Sequence, residues 1–550
     1  MNKFYVLKET DTFSDSIECL GLASIINGIF QKVDNLNVPE ILIEDKGYYF
    51  QLTLEKDLTN EIIDKCGYFD FMPYIANKNE DINNFNFNFI NYERQKEIRT
   101  NFYKLNSAER KKSNNPPRSD YDIIRMFANM NGYKKSFYNC RAWQPFFSDF
   151  IKFILQTYLN LNIDIDKLKS EINKFTSEHK IKVNKINALQ DINPDKGKGA
   201  NQAKANGIKP GGQNAFWLKQ LIRFTGVWES FVSRYFDKDF KTYSIVPNKI
   251  SYAYLRSVFQ KMKPLVQGRD SIKMDILMIH LSIKELIKYN PNFNPEWHFI
   301  PPKDKISGFQ FAYYKNLGQR PAVTNIGFLG LPNFVRFNSE NEGEEWIKVW
   351  EEHKNIISRI SEENSSNISM LQNYRRFISA SDFEAFFNFQ VEYASFLISS
   401  INKKKFFIEP FLKNNLEALM QNQMSYQEIL NNIGFQAVAN AIRNSTIVPI
   451  IHKDNKSVMF GLNQKLKIAS RNNDSLVTEV SNFIQQYNET IMLKDYHNNQ
   501  HKKYVTTEEL QEFCKILDNG VSSKLIAGML VAFGYAKEPS QNNSEENKEN

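Results

Sequence analysis

The sequence predicts an α+β protein, with a mixed α/β amino-terminal domain followed by an all-α carboxy-terminal helical bundle. Three observations carry this. Up to residue 340, strand-like runs bounded by turn residues alternate with stretches of helical apolar spacing. From Gly343 onward the pattern is helical almost throughout, with capping signals at helix starts. Within the first region lies an abrupt contrast: Asp195–Asn214 holds almost nothing able to enter a core, and Ala215–Tyr235 is apolar on nearly every face. The chain of 550 residues is long enough for several domains. Its 42% hydrophobic content, with 44 Phe and 25 Tyr, supplies a large core and argues against a disordered chain. The expected division is 1–342 for the α/β domain, 343–537 for the bundle, and 538–550 for a disordered tail of Ser, Asn and Glu.

Taken in order, residues 1–90 carry more acids than bases. Ser16–Phe30 has helical apolar spacing. Glu40–Glu44 and Tyr48–Leu54 read as two strands joined by a hairpin turn at Glu44, Asp45, Lys46 and Gly47. Over 91–142 the sign reverses. Arg94, Lys96, Arg99, Lys104, Arg110, Lys111, Lys112, Arg118, Arg125, Lys134, Lys135 and Arg141 outnumber the acids, and Tyr92, Phe102, Tyr103, Tyr121, Tyr133 and Tyr138 are interleaved. Such a mixture suits phosphates and stacked bases. It equally suits a solvated helix pair whose aromatics pack inward. Asn114, Asn115, Pro116 and Pro117 break any helix there. Trp143–Leu161 predicts a strongly apolar helix and Ile163–Ile186 an amphipathic one.

The Asp195–Asn214 stretch places Lys196, Lys198, Lys204 and Lys209 among Gly197, Gly199, Gly207, Gly211 and Gly212. Glycines let backbone N–H groups approach phosphates while lysines neutralise them. A surface insertion of no function has the same composition. Behind it, Ala215–Tyr235 predicts a deeply buried helix and Lys241–Pro247 a strand. Ser251–Met262 and Ile272–Tyr289 look helical, Trp297–Tyr314 more strand-like, and Leu317–Gly330 and Pro332–Phe337 alternate strands with turns.

In the bundle, Ser381–Glu384, Ser425–Glu428 and Thr506–Glu509 each fit a capping box. Ser475–Leu493 is a long amphipathic helix, and Gly534 stands where a helix over Ser522–Phe533 would stop. Short connections point to four or more antiparallel helices. Bases collect at Arg375 and Arg376, at Lys403, Lys404 and Lys405, at Arg443, and at Lys465, Lys467 and Arg471. Singly, each is solvated surface; together they form a row able to track a nucleic-acid backbone.

The formal net charge of +8 is mild for this length, so any basic surface is local. Cys19, Cys66, Cys140 and Cys514 are scattered with no CxxC, which predicts a reduced, cytoplasmic protein without a disulfide frame. Met1–Thr10 has no long apolar core and no run approaches ~18 apolar residues, so no membrane span is expected. No GxxxxGK[ST], HExxH or GxSxG occurs, and no RxxxxH pair, so Lys198 is not a P-loop lysine. His497 and His501 share a helical spacing, but only Asp495 and the distant Cys514 offer further ligands, and neither metal nor cofactor is expected. Asp34 with Glu44 and Lys46 loosely fits the carboxylate pattern of metal nucleases, while Lys46 beside a tight turn fits a hairpin residue better. A non-enzymatic role follows more naturally.

Four sets of residues, in this order, resemble one family. They are Asn214–Leu221 (NAFWLKQL) with Thr242–Pro247 (TYSIVP); Tyr313–Gly318 (YYKNLG) with Leu331–Val335 (LPNFV); Phe383–Ala394 (FEAFFNFQVEYA); and Ala441–Thr446 (AIRNST) with Gly461–Lys467 (GLNQKLK), leading to a long helix bearing Tyr487 and Asn488. Over most of its length the chain resembles the large subunit of type I CRISPR surveillance complexes (Cascade), of the I-B or a closely allied kind. The resemblance implies an α/β amino-terminal domain, a helical carboxy-terminal bundle, and a non-catalytic protein at the foot of a crRNA-bearing backbone. Its partners would be crRNA, target dsDNA, the Cascade backbone, handle-capping and small subunits, and a helicase–nuclease or transposition factor. It would read the PAM, help open the duplex and hold the displaced strand of the R-loop while the guide pairs. Lys196, Lys198, Asn201, Gln202, Lys204, Asn206, Lys209 and Gln213 would then be the PAM-loop candidates. The backbone candidates would be Arg94, Arg99, Lys104, Arg110, Lys111, Lys112, Arg118 and Arg141, facing crRNA handle or PAM duplex, and the nine bundle bases named above, facing the displaced strand. An internal start at Met370, or less suitably at Met420 or Met424, would yield a small subunit. The alternative is a stand-alone metal-dependent nuclease or other antiviral defence effector, which needs a carboxylate cluster.

Overall fold

In the computed structural model, which describes residues 1–196, 214–266, 271–294, 296–317, 321–403, 408–451, 458–498 and 504–539, the amino-terminal part is built around the helix Phe13–Val33. Thr12 starts it by accepting from the Ser14 N–H with its side chain. Its apolar residues cover most of its circumference, so it must be enclosed on several sides. The helix Trp217–Ser230 encloses one of them. The two cross with backbones in contact: a Cβ built on Gly21 would sit 2.0 Å from Ile222 O, and one on Gly226 1.7 Å from Ile17 O. Only glycine at both positions permits this approach. Among the described residues, Phe13–Val33 is the one helix long and apolar enough to cross a membrane, and 89% of its most apolar window is buried inside the fold.

Two antiparallel four-stranded sheets belong to this unit. The first runs in the order Lys3–Leu7, Tyr49–Leu54, Ile41–Asp45, Lys249–Ser251. The expected hairpin is there, with Gly47 at φ 84° in its turn. The second runs Pro321–Gly330, Ile306–Asn316, Asp239–Pro247, Phe231–Phe236. Two short pairs complete it: Tyr74–Ala76 parallel to Phe89–Asn91, and Ile186–Asn187 antiparallel to Asn214–Ala215. The described chain divides into this unit (Met1–Met274, Leu281–Leu286, Pro291–Gly330) and a second (Asp275–His280, Ile287–Asn290, Leu331–Asn550).

The second unit is helical. Its main helices are Glu340–Ser358, Ser365–Ala380, Phe383–Asn402, Ile433–Ser445, Asn473–Asn498, Thr507–Asp518 and Ser523–Gly534. Ser523–Gly534 is the central one, buried continuously from Ile526 to Gly534. Stacked and edge-on rings of Phe334, Trp346, Trp350, Phe377, Phe383 and Phe386 fill one end of the core. The α+β class with a carboxy-terminal helical stretch is therefore the observed one.

Several boundaries differ from expectation. The buried helix ends at Ser230, and Phe231–Phe236 is a strand, because a short apolar run satisfies either periodicity and the turn at Asp237 (φ 58°) lets it pair with Asp239–Pro247. Pro332–Phe337 forms no strand; its Phe334, Val335 and Phe337 are core contacts in extended chain. Pro145 interrupts Trp143–Leu161, leaving a 3-10 turn at Gln144–Phe146 and a helix over Phe147–Gln156. Most of Trp297–Ile306 is two short helical turns, so the strand begins only at Ile306. Ser381 ends the preceding helix at φ 58°, and Asp382 accepts from Ala385 N at 3.0 Å to start the next. Ser425 lies inside a helix over Met424–Asn431. Thr506 and Glu509 form the expected capping box. The second unit's main run begins at Leu331, ahead of Gly343. The tail beyond residue 539 lies outside the described residues.

Candidate nucleic-acid interface

The chain on either side of 197–213 is fixed to the first unit's core. On the amino side, Ile192, Asn193 and Pro194 are buried, and Ser14 Oγ donates to Ile192 O at 2.9 Å. The Asn193 and Gln220 amides donate to each other at 2.8 and 3.3 Å, and Asn193 Oδ1 also accepts from Arg223. On the carboxy side, Asn214–Ala215 pairs with Ile186–Asn187, and Phe216 follows as N-cap of the Trp217–Ser230 helix. Beneath these anchors Arg223 Nε donates to Glu18 Oε2 at 2.7 Å, the Tyr158 hydroxyl donates to Glu18 Oε1 at 2.9 Å, and Lys219 Nζ lies 3.6 Å from the same carboxylate. Burial alone would raise the Glu18 carboxyl; Lys219 and Arg223 outweigh it and hold it below its ordinary range. Burial raises neighbouring Asp15 to about 6, against the Thr10 hydrogen bond. The buried Glu18, Arg223, Asn193 and Gln220 bonds fix geometry more than they add stability. Of the PAM-loop candidates, Lys196 is described: it is exposed, with Nζ 2.9 Å from Asp195. Lys198, Asn201, Gln202, Lys204, Asn206, Lys209 and Gln213 lie outside the described residues.

The basic 91–142 segment folds as four helices: Tyr92–Lys104, Ser107–Lys112, Tyr121–Phe127 and Asn131–Ala142, with the Asn/Pro run in the gap between the second and third. Its candidates fall into two groups. Arg94, Lys104, Lys111 and Lys112 are exposed and make no ion pair among the described residues. The others hold the segment together. Arg99 donates to buried Asp122 at 2.6 Å, with its guanidinium 4.5 Å from the Tyr121 ring centroid. Arg118 donates to both Asp120 oxygens at 2.8 and 2.9 Å. Arg110 donates to Tyr103 O at 2.6 Å, and Arg141 to Asp70 at 3.3 and 3.4 Å. The aromatics divide likewise: Tyr121 and Tyr133 are buried, whereas Tyr103 and Tyr138 are exposed.

The structure adds cations that the sequence does not single out. Arg234, on the strand Phe231–Phe236, donates to the carbonyls of Val266, Lys263, Ser233 and Ser119 and, among the described residues, to no carboxylate. Burial lowers it below the ordinary guanidinium range. Burial likewise lowers Lys263 to about 8, against the pull of Asp120. Arg125 stands 3.8 Å over the Tyr235 ring. Arg234 is within electrostatic reach of Arg99 and Asp122, and Lys263 of Asp120, Arg234, Glu229 and Arg118. These positions lie on elements far apart in sequence, so no local pattern announces them. The result is a buried group of cations bonded to carbonyls and to Asp120 and Asp122; the exposed Arg94, Lys104, Lys111 and Lys112 on the same segment are the ones left to meet a polyanion.

In the second unit, Arg375 Nε lies 2.8 Å from Asp275 and Arg376 Nε 2.5 Å from Asp382. Lys465 stands 4.0 Å from Glu479. Lys403, Lys467 and Arg471 are exposed, and Lys404 and Lys405 lie outside the described residues. Arg443 departs from the expectation of a surface base. It is 5% exposed and donates to Ala536 O, Phe533 O, Asn440 Oδ1 and Glu538, tying down the chain beyond the Ser523–Gly534 helix. Asp34 accepts from Leu36 and Asn37 within its own turn, and Glu44 pairs with Lys46 at 3.1 Å across the hairpin. Among the described residues no three His, Cys, Asp or Glu side chains gather as a metal site requires. No protein-family model matches the chain, and no curated protein matches it.

Proposed function

We propose that this chain is the non-catalytic, cytoplasmic large subunit of a crRNA-guided type I CRISPR surveillance complex. In this reading it recognises the PAM in target dsDNA, helps unwind it, stabilises the displaced strand, and helps recruit a helicase–nuclease or a transposition module. The observation that carries the proposal is the placement of the glycine- and lysine-rich segment. Its two flanks are held to the first unit's core by a strand pair and a buried amide–arginine network. A basic segment anchored in this way can present its backbone and lysines to a duplex while the body of the protein keeps its geometry. The order of motifs shared with Cascade large subunits, and the α/β-then-helical arrangement, support the same reading.

Binding to duplex DNA as a function of salt tests it. The full chain with Lys196, Lys198, Lys204 and Lys209 changed to alanine is expected to bind more weakly. Its log–log salt slope is expected to be shallower by about 0.9 for each phosphate that is no longer neutralised. An unchanged affinity with an unchanged slope would remove the segment from the interface. Purification of the tagged protein from its host provides the second arm. Short RNAs of uniform length, each joining a fragment of one repeat to a variable spacer, are expected to come with it. A heterogeneous RNA mixture, or none, would overturn the family reading.

A further inference from the structure

A cleft of about 640 Å³ opens in the first unit. One wall comes from a run that alternates Asn and Phe, Asn84 to Phe89. Asn84 closes a 3-10 turn and Phe87 sits at a bend, and burial alternates along the run, with the Phe rings half-buried and the Asn amides exposed. Phe87 packs edge-on against Tyr74 at 5.3 Å and lies tilted against Phe137 at 5.1 Å, and Phe89 enters the parallel pair opposite Tyr74. Both rings remain only half-buried, while Asn86 and Asn88 reach the rim. Phe69 also lines the cleft, and its ring rests on the Phe13–Val33 helix: a Cβ on Gly28 would lie 2.7 Å from it. The lining is therefore aromatic and backed by packed core.

Polar groups sit at the edges. Arg141 holds its guanidinium 4.7 Å from the Phe87 ring centroid and donates to Asp70 at 3.3 and 3.4 Å. It also donates to Asn86 Oδ1 at 3.5 Å, which holds the cation at the rim of the cleft. Lys32, exposed at the last turn of the Phe13–Val33 helix, lines the mouth with Gln144. An aromatic lining for a π-face, amides and a carboxylate for a base edge, and two cations for a phosphate are the set that recognises an unpaired nucleotide. The run that lines the cleft leads on into a helix with a mixed first turn, Glu93 beside Arg94. Asn91 ends the strand after Phe89 and caps the Tyr92–Lys104 helix, whose first turn carries the exposed cation Arg94.

We propose that this cleft is a subsite for one unpaired nucleobase and its phosphate. It deepens the nucleic-acid reading given above and rests on it. The nucleotide can belong to an RNA strand or a displaced DNA strand, which share this chemistry.

The test uses the full chain with short single strands carrying one 5-iodouracil, in an RNA and a DNA arm. Affinity and the mapped photo-crosslink are the readouts. Crosslinks are expected on the peptides holding Phe69, Phe87 and Phe89, and the arm that gives them identifies the source. Phe87→Leu is expected to weaken binding about tenfold through lost stacking and to remove the crosslink. Arg141→Gln is expected to weaken binding and flatten its salt dependence. Asn88→Ala changes a rim side chain outside the core, and is expected to change which base is preferred at the crosslinked position. Strong binding with crosslinks elsewhere and all three variants unchanged would overturn the subsite and leave nucleic-acid binding intact. Binding of neither strand nor of duplex DNA would overturn both.

Discussion

Tyr374 offers one hydroxyl to two imidazoles. Its oxygen lies 2.8 Å from His280 Nε2 and 2.9 Å from His353 Nδ1, and all three side chains are buried. The hydroxyl donates to one ring and accepts from the other, which gives the two rings, kept neutral by burial, complementary tautomers. Their outer nitrogens, His280 Nδ1 and His353 Nε2, have no hydrogen-bond partner among the described residues. Burial lowers His353 to about 3 and takes His280 well below its usual range. The unfolded chain takes up protons near pH 6.5 and the folded one does not, so stability is full above that pH. It is expected to fall as pH drops from about 6.5 toward 3, by up to about 1.4 kcal/mol per pH unit for each imidazole. Tyr374→Phe leaves both rings unpaired and is expected to cost about 1–3 kcal/mol at neutral pH. Denaturant melts over a pH series read both effects; a flat profile from pH 7 to 4 would mean that the imidazoles titrate in place.

At the scale of elements, the crossing of Phe13–Val33 with Trp217–Ser230 supports both the first unit's core and the anchors of the basic segment. Gly21→Ala or Gly226→Ala would drive a methyl into backbone carbonyl. Backbone cannot swing aside as a side chain can, so each substitution is expected to cost at least about 2–3 kcal/mol. Thermal melts check this, and an unchanged melting temperature in both variants would contradict the crossing. Both helices were legible in the sequence, the first by its helical apolar spacing and the second because its apolar residues exceed one face. The glycines that let them touch were not, since their meaning lies in an approach between chain segments distant in sequence. The same divide runs through the candidate site. A basic stretch is visible as composition, but Arg99 and Arg118 cannot be told from Lys111 and Lys112 until Asp122 and Asp120 are seen to engage the first two. Arg443 reads as surface only until the last helix closes over it. Arg234 and Lys263 carry no local signal, because what marks them is burial beside other cations. Thr506 and Glu509 act through neighbours in sequence, and that capping box was legible in full.

At the scale of the whole molecule, the two units bear on where a second, shorter product could begin. Met370 is 2% exposed in the middle of the Ser365–Ala380 helix. A chain starting there would lack the Glu340–Ser358 helix and Phe334. It would lose Trp350, which packs on Phe334 at 6.2 Å, and His353, which lies 6.1 Å from Phe386 and 4.9 Å from Phe411. Phe377 would lose the Phe334 ring stacked on it at 5.2 Å. Uncovering several such rings exposes a contiguous apolar patch, which a soluble monomer rarely tolerates. A fragment starting at Leu331 keeps all of these partners and gives up less: His280, one of the two imidazoles bonded to Tyr374, Asp275, which pairs with Arg375, and Ile287, which lies against Gly343. The 331–550 fragment is therefore expected to be monodisperse and to melt cooperatively. The 370–550 fragment is expected to aggregate or to lose cooperativity unless a partner covers the exposed rings. Size-exclusion chromatography and calorimetry of the two fragments compare them directly. If the shorter one proved a cooperative monomer, the Trp350 and His353 contacts would be dispensable and Met370 would stand as a structurally sound start. If only the longer one did, a small subunit made from Met370 would have to fold on the complex that receives it.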